Sequence, residues 1–479
     1  MGNPQTKKIF INQADNFAGA FGEVLRSSAI FWVKNSKTLK TTISFSNYWK
    51  FKNSNEVYLL INLRKLSGDL VSRQVVDFDI KAVCNFSPPD NFEGSVEVEA
   101  FSNKNMRIPY AAIMAVYESS DSISMVHSYA RAYSQHEIEE SRTISVGKES
   151  CWTIRETDEQ TSFAVIHNGP TTQEAQLVEL AIRNSKGKEL VRQFELEALL
   201  PFQTKVIEPK NYFDNLVEWL DDKPGNGRFS FNLSGSFTRM LCGVKTNDKS
   251  ELQVTHSNFN YSAHDTDTIT EGDLIAYMRT PNVDSSYEQE IVVYPDTSIG
   301  SYSATSNEVT EKFNTGEIHT IPFSTGGAQL VEFSREDKIL PTRIVTALRL
   351  NSQKSKLSAE CSLGVVHHKR PEKHSHWMIV SSKFQSQISW VDYKEIYGGC
   401  PNNAEFIFQL YGSKSDQNCE VRKTKKDLPD SCFIELNQIF DNKNLLNDFQ
   451  YLFVRSSYGG LIFFSSMKKN EAITIEHSF

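Results

Sequence analysis

Ile123-Ser-Met125-Val-His127-Ser128 returns further along the chain as Leu252-Gln-Val254-Thr-His256-Ser257 and again as Ile473-Thr-Ile475-Glu-His477-Ser478. Side chains alternate across a β-strand with a period of two. Each histidine therefore shares a face with the two apolar residues before it, and each copy reads as a strand that closes a core. A looser form, His374-Ser375-His376-Trp377, stands between the second and third copies. Counting back 17 positions from His127, His256 and His477 reaches Tyr110, Arg239 and Gly460. From these points run Ala111 to Tyr117, Met240 to Lys245 and Leu461 to Ser466, each passing through a polar turn into its His-Ser strand. Three matched hairpins result. A fourth is expected from Ser362-Leu-Gly-Val-Val366, through a turn at Lys369 to Glu372, into His374.

Two further correspondences lie outside these hairpins. Leu59 to Gln74 and Leu180 to Gln193 are each a strand, a glycine turn (Gly68, Gly187) and a second strand carrying Leu-Val, the usual hairpin signal. Ile207-Glu208 to Phe213-Asp214-Asn215 parallels Ile434-Glu435 to Phe440-Asp441-Asn442, and both lead into short helical turns. One unit thus holds about seven short strands in roughly 100–130 residues, the size and spacing of an Ig-like β-sandwich, which it resembles. The expected fold is all-β: four tandem Ig-like antiparallel β-sandwich repeats with short helical turns. The expected divisions are 1–139, 140–269, 270–388 and 389–479, the third unit being the most divergent and carrying the His-rich hairpin. Long amphipathic helices between strands, as a parallel α/β fold needs, are absent from the pattern. A rod, an arc and a closed cluster of units fit the sequence equally.

With 479 residues the chain exceeds one ordinary core. Hydrophobic residues make up 39% and aromatics 11%, enough for packed units. The net charge of -8 argues against a nucleic-acid binder, which needs a concentrated basic surface. The first residues, Met-Gly-Asn-Pro-Gln-Thr-Lys-Lys-Ile-Phe, lack a signal-peptide apolar stretch, and no run is long enough for a membrane-spanning helix. Seven cysteines, an odd number, include no C-x-x-C pair. Cys84, Cys242 and Cys361 lie in apolar runs as free thiols do. A cytoplasmic, reducing location is expected.

The repeated histidines read first as architecture, because they sit on the apolar strand face. His367-His368-Lys-Arg-Pro-Glu-Lys-His374-Ser-His376 is the sharpest local anomaly. His367, His368, His374 and His376 on two arms of one hairpin are a candidate metal set for zinc or copper, although Lys369, Arg370 and Lys373 repel a cation. The acidic stretch from Asp265 to Asp273 lacks the order of a calcium loop and reads as a solvated linker. Phosphate-loop, nucleophile-elbow, HExxH and dinucleotide signatures are absent, so no catalytic residue is assigned. Trp49, Trp152, Trp219, Trp377 and Trp390 crowd near unit ends, where aromatic rings stack on sugars, anchor partners or pack a core.

The expectation is a non-enzymatic tandem-sandwich protein that binds or scaffolds a glycan or protein partner, with no nucleic acid and no membrane span. Its alternatives are a hydrolase with a site in or beside the third unit, metal-dependent through the His367–His376 hairpin, and a structural subunit of a larger assembly.

Overall fold

The structure is a computed structural model. It describes residues 25–47, 57–76, 82–102, 113–127, 131–134, 144–234, 240–259, 269–270, 275–294, 300–307, 309–314, 316, 318–323, 328–341, 344–366, 372–414, 417–429 and 433–478. Among the described residues, no helix is long and apolar enough to cross a membrane.

Among the described residues the chain is all-β, and one eight-strand plan is used four times. Unit one is β1 (Leu25–Lys34), β2 (Leu39–Ser46), β3 (Val57–Lys65), β4 (Leu70–Val76), β5 (Val83–Phe86), β6 (Glu93–Ser102), β7 (Ile113–Ser119) and β8 (Ile123–His127), followed by β9 (Arg131–Ser134). Unit two is β10 (Ile144–Ile154), β11 (Gln160–His167), β12 (Gln176–Arg183), β13 (Glu189–Leu196), β14 (Thr204–Ile207), β15 (Gly225–Ser234), β16 (Leu241–Thr246) and β17 (Leu252–His256), followed by β18 (Asn258–Phe259). Unit three, preceded by β19 (Ile269–Thr270), has β20 (Ala276–Arg279), β21 (Tyr287–Val293), β22 (Ser301–Ser306), β23 (Val309–Asn314), β24 (His319–Phe323), β25 (Leu330–Arg335), β27 (Thr346–Ser352) and β28 (Ala359–Leu363). The extra strand β26 (Leu340–Pro341) pairs with β19. Unit four is β29 (Ser375–Val380), β30 (Gln385–Asp392), β31 (Glu405–Tyr411), β32 (Cys419–Thr424), β33 (Phe433–Glu435), β34 (Gln450–Ser456), β35 (Leu461–Lys469) and β36 (Ala472–His477).

Numbered within a unit, the strands pair as 4-3-6-1 in one sheet and 5-2-7-8 in the other, all antiparallel, in all four units. The first and second strands lie in opposite sheets, so the chain crosses the core repeatedly and each sandwich closes as a whole. The short segment after the eighth strand returns to the edge of the first. β9 pairs with β1, β18 with β10, and Val366 bridges Tyr277 of β20.

The local causes are readable residue by residue. On β3 and β6, Leu59, Ile61 and Leu63 face Ala100, Val98 and Val96, and these alternate positions are buried in the core. The β3–β4 and β12–β13 turns share a backbone: Gly68 and Gly187 have φ of +91 and +75 and each donates its N–H to the carbonyl three residues earlier. Positive φ is costly for any residue with a Cβ. A Cβ on Gly68 would also meet the Pro201 carbonyl of unit two at 2.2 Å. The two parallel Ile-Glu segments both run from a short fifth strand into a 3₁₀ turn (209–211, 436–438), and the first continues into α1 (Leu216–Leu220). These are the expected helical turns.

One expectation needs correction. His374 to Trp377 does not close the third unit. β29 opens the fourth unit by pairing with β34, from Ser375 opposite Arg455 to Val380 opposite Gln450. The strand that closes the third unit is β28, Ala-Glu-Cys-Ser-Leu, which has no histidine. The division expected at 388/389 therefore falls inside β30, whose residues pair with β33 and β35 of the same sandwich. The 139/140 division lies outside the described residues, and 269/270 falls within β19.

The units form a closed cluster, because the four eighth strands meet at its middle. β8 lies against both β17 and β36, and β28 against β36. Side chains zip these edges where backbone ladders stop. Ser122 and Ser124 each accept from and donate to the backbone of Leu252 and Val254 at 2.8–3.0 Å. The Thr474 hydroxyl accepts from the Met125 N–H at 2.9 Å, and Gln253 donates to the carbonyls of Ile123 and Ile473. Each satisfied edge removes an exposed row of donors and acceptors. Around this middle, Met114, Val116 and Met125 of unit one pack on Trp377, Tyr451 and Phe453 of unit four.

Candidate functional site

The convergence of eighth strands brings four units' side chains to one point. His127, His256 and His477 end β8, β17 and β36. Their rings lie edge to face, with centroids 4.6 Å apart for His127 and His256 and 5.2 Å for His127 and His477. Period-two alternation places each on its strand, but only the closed arrangement makes them neighbours.

Glu476 is the hub. Its Oε1 is 3.3 Å from His127 Nδ1, 3.6 Å from His477 Nε2 and 3.9 Å from Cys361 Sγ, and it accepts the His477 backbone N–H at 3.2 Å. Glu476 is 5% exposed, His127 2%, His256 3% and Cys361 1%. The His256 and His477 rings are each held through Nδ1 by the carbonyl of the following serine, at 2.9 and 3.3 Å. Burial pushes the His477 pKa down to about 4, with Glu476 opposing, so its imidazole is neutral at pH 7. Burial also pushes the Cys361 thiol well above its ordinary range, and Glu476 adds to this. A protonated, buried thiol is a poor nucleophile. A neutral imidazole beside a carboxylate has the chemistry of a metal ligand. Among the described residues, His127, Glu476 and His477 form a group whose ligand atoms all lie within 4.8 Å of one another.

Glu476 and Cys361 carry no motif. Glu476 did leave one trace: the position before the histidine is Val126 and Thr255 in the other copies, and an acid only here.

Of the histidines singled out in the hairpin, His367 and His368 lie outside the described residues. His374 contacts the Ser456 carbonyl through Nδ1 at 2.9 Å and Glu372 through Nε2 at 3.3 Å. His376 is fully buried, its Nδ1 3.0 Å from Ser478 Oγ and its Nε2 3.1 Å from the Lys373 carbonyl. The structure thus engages both nitrogens of both rings with separate partners. Of the tryptophans, Trp152, Trp377 and Trp390 are buried, Trp219 is half-buried and Trp49 lies outside the described residues. Only Ile269 and Thr270 of the acidic stretch are described.

A second polar cluster joins units two and three. Arg349 donates to Glu360 (2.7 Å), Glu290 (2.8 Å) and Thr153 (3.4 Å), and the Tyr294 hydroxyl donates to Glu360 at 3.0 Å. Nearby, Glu156 lines an open polar cleft with Arg155, Asp158 and Asp222. Burial pushes the Glu156 carboxyl up to about 7, against the Ser162 N–H that it accepts.

No protein-family model matches the chain, and no curated protein matches its sequence.

Proposed function

We propose that the chain is a non-enzymatic scaffold that holds a protein partner along its outward sheet edges. The observation that supports this is the asymmetry between the two ends of each sandwich. Eighth strands are buried at the middle, whereas fourth strands are sheet edges. On three of those edges large aliphatic side chains stand in solvent: Val71 (47%) and Val75 (61%) on β4, Val191 (50%) on β13 and Val309 (63%) on β23. Val71 and Val191 occupy matching places in the two Leu-Val hairpins. An open edge offers unpaired N–H and C=O groups, and a partner strand added there gains a ladder plus side-chain contacts. β32, the fourth such edge, carries Glu420, Arg422 and Lys423, the charged pattern that discourages pairing.

Burial of three tryptophans weakens the support for a glycan ligand, since sugar rings stack on exposed aromatic faces. The hydrolase alternative gains a carboxyl poised near neutrality in Glu156, but no described nucleophile or second acid stands at hydrogen-bond range of it.

The test is a Val71→Asp/Val191→Asp variant. Because both side chains are exposed, its melting temperature should match the wild type, within the usual surface effect of about 0.5 kcal/mol. Cross-linked protein partners recovered by the wild type should be lost from the variant. Equal recovery by both, or saccharide binding on an array that the variant retains, would refute the reading.

A further inference from the structure

We propose that the middle of the cluster is a zinc site, with His127, Glu476 and His477 as ligands and Cys361 closing the shell. The separations carry the inference. Tetrahedral zinc with N and O bonds of about 2.0–2.1 Å sets its ligand atoms about 3.3 Å apart. The two measured edges on Glu476 Oε1 are 3.3 and 3.6 Å. With a Zn–S bond of about 2.3 Å the sulfur-to-oxygen edge is roughly 3.5 Å. Cys361 donates its S–H to Glu476 Oε1 at 3.9 Å and stands outside the group of His127, Glu476 and His477, so its sulfur closes the shell only by moving inward on binding. A charge-assisted hydrogen bond between imidazolium and carboxylate would be shorter, about 2.7–2.9 Å.

The surroundings fit the same occupant. Metal-bound imidazoles usually give their other N–H to a carbonyl, which fixes the ring. His477 has that arrangement: Nδ1 faces the Ser478 carbonyl, and Nε2 faces Glu476. His256, held in the same way by Ser257, packs on His127 from the unit-two side. The His477 backbone N–H orients the Glu476 carboxylate. Charge also balances: a dication with one carboxylate and one thiolate is neutral, which suits a buried site. On binding, the Cys361 thiol releases its proton to solvent and sulfur takes the metal. The ligands come from units one, three and four, so the ion would clamp the closed cluster.

The experiment uses the full chain, grown with zinc and purified without chelator. Elemental analysis should give about one zinc per chain. His477→Ala and Glu476→Gln should weaken zinc binding roughly 100-fold or more, and His374→Ala should leave it unchanged. Cobalt in place of zinc should show tetrahedral visible absorption and a sulfur-to-metal charge-transfer band that Cys361→Ser removes. This last variant alters one atom and serves if the others fail to fold. Folded wild type that takes up no zinc or cobalt, stoichiometric metal retained by His477→Ala, or metal lost only in His374→Ala would each overturn the proposal. A charge-transfer band that survives in Cys361→Ser would remove that residue from the shell.

Discussion

Arg349→Ala is expected to lower stability by about 3–5 kcal/mol, the effect of stripping one partner from a buried ion pair. The guanidinium side chain is 5% exposed and holds two carboxylates, Glu360 and Glu290, at 2.7 and 2.8 Å. Burial acts against the charge on Arg349, but Glu360 and Glu290 outweigh it and hold the pKa above its ordinary value. Burial likewise pushes the Glu360 carboxyl up, and Arg349 outweighs that to hold it below the usual carboxylate range. A group with a depressed folded pKa contributes stability above its unfolded pKa, here 4.5, and loses it as the pH falls below that value. In Arg349→Ala the sign reverses: the abandoned carboxylates favour protonation, so the variant should recover part of its deficit on acidification. Urea denaturation at pH 7 and pH 5 checks both statements. A deficit under about 1 kcal/mol at pH 7 would show that the cluster behaves as a surface pair.

His167 should make the chain sensitive to acid. It ends β11 near the junction with unit one, its Nδ1 2.9 Å from Thr204 Oγ1, while the Thr204 N–H donates to the Leu66 carbonyl. Burial pushes its pKa down to about 3 from 6.5. The folded state therefore resists the proton that the unfolded state accepts. This contribution is complete above pH 6.5 and is lost as the pH falls towards 3, at about 1.4 kcal/mol per unit. Glu156 works in the opposite sense, since its raised pKa removes stability as the pH rises from 4.5 to 7. Comparison with His167→Asn separates the two. Between pH 7.5 and 4.5 the variant should gain about 2–3 kcal/mol on the wild type. An unchanged gap would mean that the imidazole is protonated within the fold.

The sandwiches were legible because the signal is local. Alternation around His127, His256 and His477 defines a strand and its core face, and Gly68 and Gly187 mark turns that need positive φ. Unit three misleads for a physical reason. Its closing strand ends on Leu363, where the other three end on histidine, while a Ser-His pair opens the next sandwich. There His376 is buried against Phe463. The eighth strand in each unit's plan escaped counting because the fifth strands are as short as Phe433–Glu435. The central cluster was half legible. Strand patterns name the histidines, but their meeting with Glu476 and Cys361 depends on how whole units close on one another, and no spacing within the chain encodes that.

Small-angle X-ray scattering of the intact monomer tests this closure most directly. Four sandwiches gathered about buried eighth strands should give a radius of gyration near that of a compact chain of this length, about 23 Å. A value above about 40 Å, as four such units strung end to end would give, would contradict the closed cluster and with it the shared histidine centre.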